Sequence, residues 1–143
     1  FAAQGIGSLI GALTMTVAGA YLLDPRRIVL GALLFGVMEL LFLTGPGFSR
    51  SVLLLVVIGW AFAAYTIGTK TYIQVRSPDR MQGRMVSLYS MLFVGVTPLG
   101  NFFAGAVAHV WGTAAAVWLG GALTAIAAVA VFLYLTVSRR VVG

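Results

Sequence analysis

Five apolar stretches, each near the length of a membrane crossing and joined by loops of a few residues, take up this chain. That alternation leaves few folds open. With 61% hydrophobic residues and 8% charged, nine basic and three acidic side chains are too few to give a 143-residue globule a polar shell in water. Hydrocarbon is the solvent that suits such a surface, and there each backbone polar group must be satisfied within a helix or a closed barrel. Barrel strands alternate over roughly 10 residues, whereas these segments are longer and uniformly apolar. The expected fold is therefore all-α, a polytopic helical membrane protein embedded in a lipid bilayer.

The breaks between segments carry turn and charge signals: Asp24-Pro25-Arg26-Arg27, Gly45-Pro46-Gly47, Arg76-Ser77-Pro78-Asp79-Arg80, Gly112 and Ser138-Arg139-Arg140. They predict spans over 1–23, 28–44, 51–74, 84–110 and 113–137 within a single membrane domain covering 1–143. Each is near the ~20 residues that cross a hydrocarbon core. Arg26, Arg27, Arg76, Arg80, Arg84, Arg139 and Arg140 fall in loops on one side, and Arg50 and His109 on the other. By the positive-inside rule the basic side is cytoplasmic, which puts the C-terminus inside. The net charge of +6 follows this topological pattern rather than forming a basic domain, so nucleic acid is not an expected partner. The chain opens at Phe1 in mid-helix, without a methionine or a cleavable signal pattern, and the number of spans is odd. Both are expected of a piece of something longer.

In lipid the informative helix face is the small and polar one. On the first span Gln4, Gly7, Ser8, Gly11, Thr14 and Ala18 share a sector, with Ile6, Leu9, Ile10, Leu13 and Val17 opposite. That face either packs against another helix or also borders water. On the fourth span Ser87, Ser90, Thr97, Asn101, Ala104 and Ala108 lie together, and Pro98 with Gly95, Gly100 and Gly105 makes bending cheap. This pattern favours a cavity wall. The third span places Tyr65, Thr69 and Tyr72 on one face, with Thr66 and Lys70 alongside. Lys70 either snorkels to the headgroups or faces an inward-open cavity. Glu39 is the one acidic residue inside a span, either a proton-coupling carboxyl or a structural one. His109, at the outer mouth of the fourth span, reads as an interfacial, solvated side chain, with a gating or proton role as the alternative.

Enzyme chemistry is not expected. There is no cysteine, one histidine, no metal-ligand cluster, no nucleophile paired with a base and no phosphate-cradling loop, so neither catalytic residues, a metal nor a cofactor is predicted.

The run Gln74-Val-Arg-Ser-Pro78-Asp79-Arg80-Met-Gln-Gly83-Arg84-Met85-Val-Ser87, with Pro98-Leu99-Gly100-Asn-Phe-Phe-Ala104-Gly105, resembles the link between helices ten and eleven of major facilitator superfamily transporters. It is most similar to the twelve-helix exporters related to macrolide efflux pumps and the enterobactin exporter. Gly5-Ile-Gly7-Ser-Leu-Ile-Gly11-Ala resembles their helix eight. The resemblance implies helices eight to twelve, a bacterial inner (plasma) membrane and, as partners, the missing N-terminal helices of the same transporter. It implies that helices eight, ten and eleven border the central path while nine and twelve lie outside, which counts against a coupling role for Glu39. Asp24-Pro25-Arg26-Arg27 sits where the family's second half keeps a worn loop motif, although here the spacing to Gly19 is one residue longer and the inner glycine is missing.

The function the resemblance implies is export of a small amphipathic molecule (a drug, macrolide or siderophore) by alternating access with proton antiport. Gln4, Ser8, Gly11, Tyr65, Thr69, Tyr72, Ser90, Thr97 and Asn101 would line the substrate cavity, and Asp24, Arg26, Arg27 and Arg84 either form the cytoplasmic gate, by analogy with the family, or reflect topology alone. The rival is a non-transporting membrane scaffold or assembly subunit whose small-residue faces serve partner helices alone.

Overall fold

The structure, a computed structural model, describes residues 2–44 and 47–141, with side chains throughout except at 18–22 and 139–141. Phe1, Gly45 and Pro46, and the side chains of Ala18, Gly19, Arg139 and Arg140 named above, lie outside that description. The described residues form five α-helices: α1 Ala2–Leu22, α2 Pro25–Phe42, α3 Phe48–Arg76, α4 Gln82–Trp111 and α5 Thr113–Val141. Three of these, α3, α4 and α5, are long and apolar enough to cross a membrane. Among the described residues no polar or charged side chain is buried, while Val17, Phe102 and dozens of other large apolar side chains are exposed. An apolar exterior of this extent is the mark of an integral membrane protein.

The helix ends follow from local chemistry. α2 starts three residues before the predicted edge because Asp24 caps it: its carboxylate accepts from the Arg26 N–H at 3.0 Å, and Pro25 occupies the first turn, where no N–H is needed. Ser77 ends α3 by donating its hydroxyl to the Ile73 carbonyl at 2.6 Å, ahead of Pro78. Asp79 then accepts from the Gln82 side chain at 3.0 Å across the start of α4. Gly112, at φ +88°, is the whole connection between α4 and α5; a side chain would strain that left-handed backbone. Pro98 lies inside α4 without ending it.

Packing is set by small residues. α1 runs parallel to α3, Gly7 meeting Val56, Ser8 meeting Gly59 and Gly11 meeting Trp60 and Ala63. A Cβ on Gly7 would collide with the Val56 backbone, and one on Gly59 with the backbone of Gln4 and Ser8. On the other flank α2 lies antiparallel to α3, and Gly68 receives both Met15 of α1 and Ile28 of α2. Those two side chains, with Ile58, Ala61 and Ala63, form the buried centre around α3. α2 in turn meets α5 at a crossing where Gly36 faces Gly121 and Ala125. α4 is the outlier. It approaches α3 near its start and α5 near its end, and every residue from Met91 to Ala106 is exposed.

The α1–α3 seam generates a direct test. Gly59→Leu forces the two backbones apart and is expected to cost about 3 kcal/mol, at the upper end of overpacking effects. Gly95→Leu, with nothing within 4 Å of the added carbon, is expected to be neutral. Thermal unfolding in detergent, read by helical circular dichroism, distinguishes the two.

Candidate functional site

α3 positions most of the functional candidates because it is the one helix touched by α1, α2 and α4 together. Tyr65, Thr69 and Tyr72 follow one another at helical spacing and face α2 and α5. There they line a cavity of about 730 Å³ whose opposite wall is Val29, Ala32, Leu123 and Val131. A volume of this size suits a small organic ligand, and so does a mostly apolar wall with a few polar groups. Phe35 and Phe62 pair at its rim with ring centroids 5.7 Å apart. The Thr69 hydroxyl donates to the Tyr65 carbonyl at 2.8 Å, which leaves only its lone pairs toward the cavity. At the loop end the Arg76 guanidinium lies 5.7 Å from the Tyr72 ring centre, a cation–π contact.

A second cleft opens between α3 and α4. It holds about 330 Å³ and brings Ser90 beside Lys70, Thr66 and Tyr89. Tyr89 and Phe93 stack along its α4 side with centroids 6.0 Å apart. Of the predicted cavity residues, then, three share the larger space and Ser90 lines the smaller one.

The remaining candidates sit elsewhere. Gln4, Ser8 and Gly11 lie on the α1–α3 seam, where Ser8 donates its hydroxyl to the Gly59 carbonyl at 3.2 Å and Gln4 presents its backbone to Gly59. Thr97 and Asn101 are exposed on α4. Thr97 donates to the Phe93 carbonyl at 2.6 Å, whereas the Asn101 amide finds no partner among the described residues. Asp24 and Arg26 meet through the helix cap, with Arg26 and Arg27 half-buried at the start of α2 and Arg84 exposed at the start of α4. Glu39 is half-buried on the α2–α5 seam beside Gly121, and His109 is exposed in the last turn of α4.

Two elements were not anticipated from sequence. Trp60 donates its indole N–H to the Thr14 hydroxyl at 3.1 Å, fastening α1 to α3. Thr14 in turn donates to the Gly11 carbonyl at 2.8 Å, so both polar groups are satisfied within the seam. The signal was present: a tryptophan in a span needs a partner for its N–H, and Gly59-x-x-x-Ala63 on α3 is the small-residue match for Gly7-x-x-x-Gly11. The Gly36–Gly121 crossing was the other, and its signal was weaker because Gly36 stands among large apolar residues and only Gly120-Gly121-Ala122 marks the facing patch.

Comparison with protein-family models, characterised proteins and solved structures returned no match. The resemblance to major facilitator transporters therefore rests on the motifs quoted above.

Because the chain has no cysteine, single thiols report water access without background. Thr69→Cys in the larger cavity and Asn101→Cys on α4 are expected to react with a water-soluble maleimide in native membranes about tenfold faster than Ala61→Cys, whose position is 0% exposed. Equal, slow labelling at all three would mean that lipid, not water, fills these spaces.

Proposed function

We propose that this chain is part of a secondary active transporter that exports a small amphipathic molecule by alternating access, with all five helices crossing a bacterial inner membrane and the C-terminus on the cytoplasmic side. The observation that carries the reading is the Asn101 amide, unpartnered at an exposed point of a crossing-length helix. An amide facing acyl chains costs several kcal/mol. Water in a passage, or protein beyond this bundle, removes that cost.

The two clefts flanking α3 support the same reading. Tyr65 and Tyr72 offer aromatic faces and Thr69 a hydrogen-bond acceptor within an apolar wall, which suits a molecule with both characters. In this proposal the N-terminal helices of the same transporter cover α4 and complete the path, and the two halves rock around a site near the bilayer midplane. Proton antiport drives the cycle. Asp24, Arg26, Arg27 and Arg84 hold the cytoplasmic side closed through contacts with helix ends.

A second reading, a membrane scaffold or assembly subunit, is favoured by one specific observation. The small-residue face of α1 is taken up by packing on α3, so at least one such face serves helix association alone. On that reading α4 is the docking helix for another protein.

The readings separate in the full-length protein carrying Thr97→Val and Asn101→Leu. Transport predicts normal membrane insertion with efflux lowered by about tenfold or more, the order of one lost polar contact to a passenger in a dry site. A scaffold predicts no efflux above background from either the wild-type or the substituted protein and a change only in co-purifying partners. Impermeant labelling of Ser77→Cys from the cytoplasmic face, and of Ser49→Cys from the opposite face, checks the orientation.

A further inference from the structure

We infer that the cleft between α3 and α4 is a binding site for an amphipathic anion, with Lys70 holding the charged group. The inference deepens the transporter reading and rests on it for one consequence only, that the bound anion is a passenger; binding itself requires no transport.

Lys70 lines the cleft with no carboxylate beside it. The described chain has three carboxylates, and each is placed elsewhere: Asp24 caps α2, Asp79 accepts from Gln82, and Glu39 lies on the α2–α5 seam. No described residue pairs with the Lys70 ammonium. A cation left without a counter-charge at the wall of a cleft in an apolar bundle attracts one from outside.

The neighbouring groups specify its form. The Thr66 hydroxyl donates to the Phe62 carbonyl at 2.7 Å, so it has no proton for an anion. The Ser90 hydroxyl and the Tyr89 phenol make no hydrogen bond to a described residue, and both line the same space as Lys70. Together they supply one cationic and two neutral donors. Around them Ile67, Phe93 and Val94 are apolar, and the stacked Tyr89 and Phe93 rings extend the wall along α4. This arrangement takes a carboxylate, sulfonate or phosphate attached to an apolar body. The cleft volume of about 330 Å³ lies at the small end of ligand sites. Simple snorkelling is the competing behaviour: Lys70 lies six residues before Arg76, about 9 Å along the helix from the basic loop. A snorkelling lysine attracts any anion whether or not Ser90 keeps its hydroxyl, so dependence of the preference on Ser90 is what distinguishes the cleft.

The test uses the full-length protein in phosphatidylcholine nanodiscs with dansylaminoundecanoic acid and its primary amide, at about pH 9, where the carboxyl is ionised. The wild-type chain is expected to bind the acid about tenfold more tightly than the amide, and Lys70→Met to abolish the preference while leaving amide binding unchanged. Ser90→Ala is expected to weaken acid binding by a few-fold without affecting the amide. A second arm retains phosphatidylglycerol through native mass spectrometry. Loss of that lipid in Lys70→Met would identify a headgroup as the anion, and equal retention would leave the free amphipath. Equal affinity of the wild-type chain for acid and amide, with lipid retention unaffected by Lys70→Met, overturns the site, and the wild-type comparison needs no variant to fold. Efflux of a neutral amphipath by the Lys70→Met full-length protein would leave the transporter reading standing after this inference had failed. Charge-selective binding without any efflux would do the reverse.

Discussion

Close approach of helix backbones is the constraint on which the rest of this structure depends. Between lipid-exposed helices the hydrophobic effect supplies little net attraction, because acyl chains are as apolar as leucine. Association falls to dispersion and a few hydrogen bonds, and both require short distances. Gly7, Gly11 and Gly59 bring α1 onto α3, Gly68 admits Met15 and Ile28, and Gly36 with Gly121 brings α2 onto α5. The Ser8 hydroxyl and the Trp60 indole can bridge α1 and α3 only because the glycines have already let those helices meet. The clefts lie where that close packing stops.

Polar side chains in this bundle fall into two populations. Thr14, Thr16, Thr66, Thr69, Thr97, Thr124 and Thr136 each donate to a carbonyl three or four residues back in their own helix. Such hydroxyls are satisfied in hydrocarbon, so they do not by themselves report water. Asn101, Lys70 and Ser90 are different, since their groups lack that local solution or have not taken it. Their surroundings, like those of the Tyr89 phenol and the buried Arg26 Nε, are left for water, ligand or further protein to complete. The rings of Tyr65 and Tyr72 add shape to the other cleft, and their phenol hydroxyls, without a partner among the described residues, make the same demand there.

Much of the architecture was legible before any coordinates. Turn residues and charges located the five helices, with ends within a few residues, because Asp24, Ser77, Pro78 and Gly112 act through their immediate backbone. The division of α1 into small and apolar faces was legible too, with Leu9, Leu13 and Val17 exposed and Gly7 and Gly11 buried. The site was only partly legible. Periodicity put Tyr65, Thr69 and Tyr72 on one side of α3 but could not say which helices stood opposite them, and α2 and α5 do so. Likewise it grouped Ser8 with Asn101 as polar, although one is tied into a seam and the other is exposed.

The sequence by itself determined the solvent of this protein, the number and type of its helices and the faces able to meet. Those properties depend on residues within one or two turns of each other. Only the tertiary structure decided which faces do meet: α1 with α3 and α2 with α5, and Lys70 beside Ser90 across the α3–α4 cleft. Each of those pairings is a choice among several helices of nearly equal apolarity. It is settled by whether two surfaces fit at contact distance, and a one-dimensional pattern carries no record of that fit.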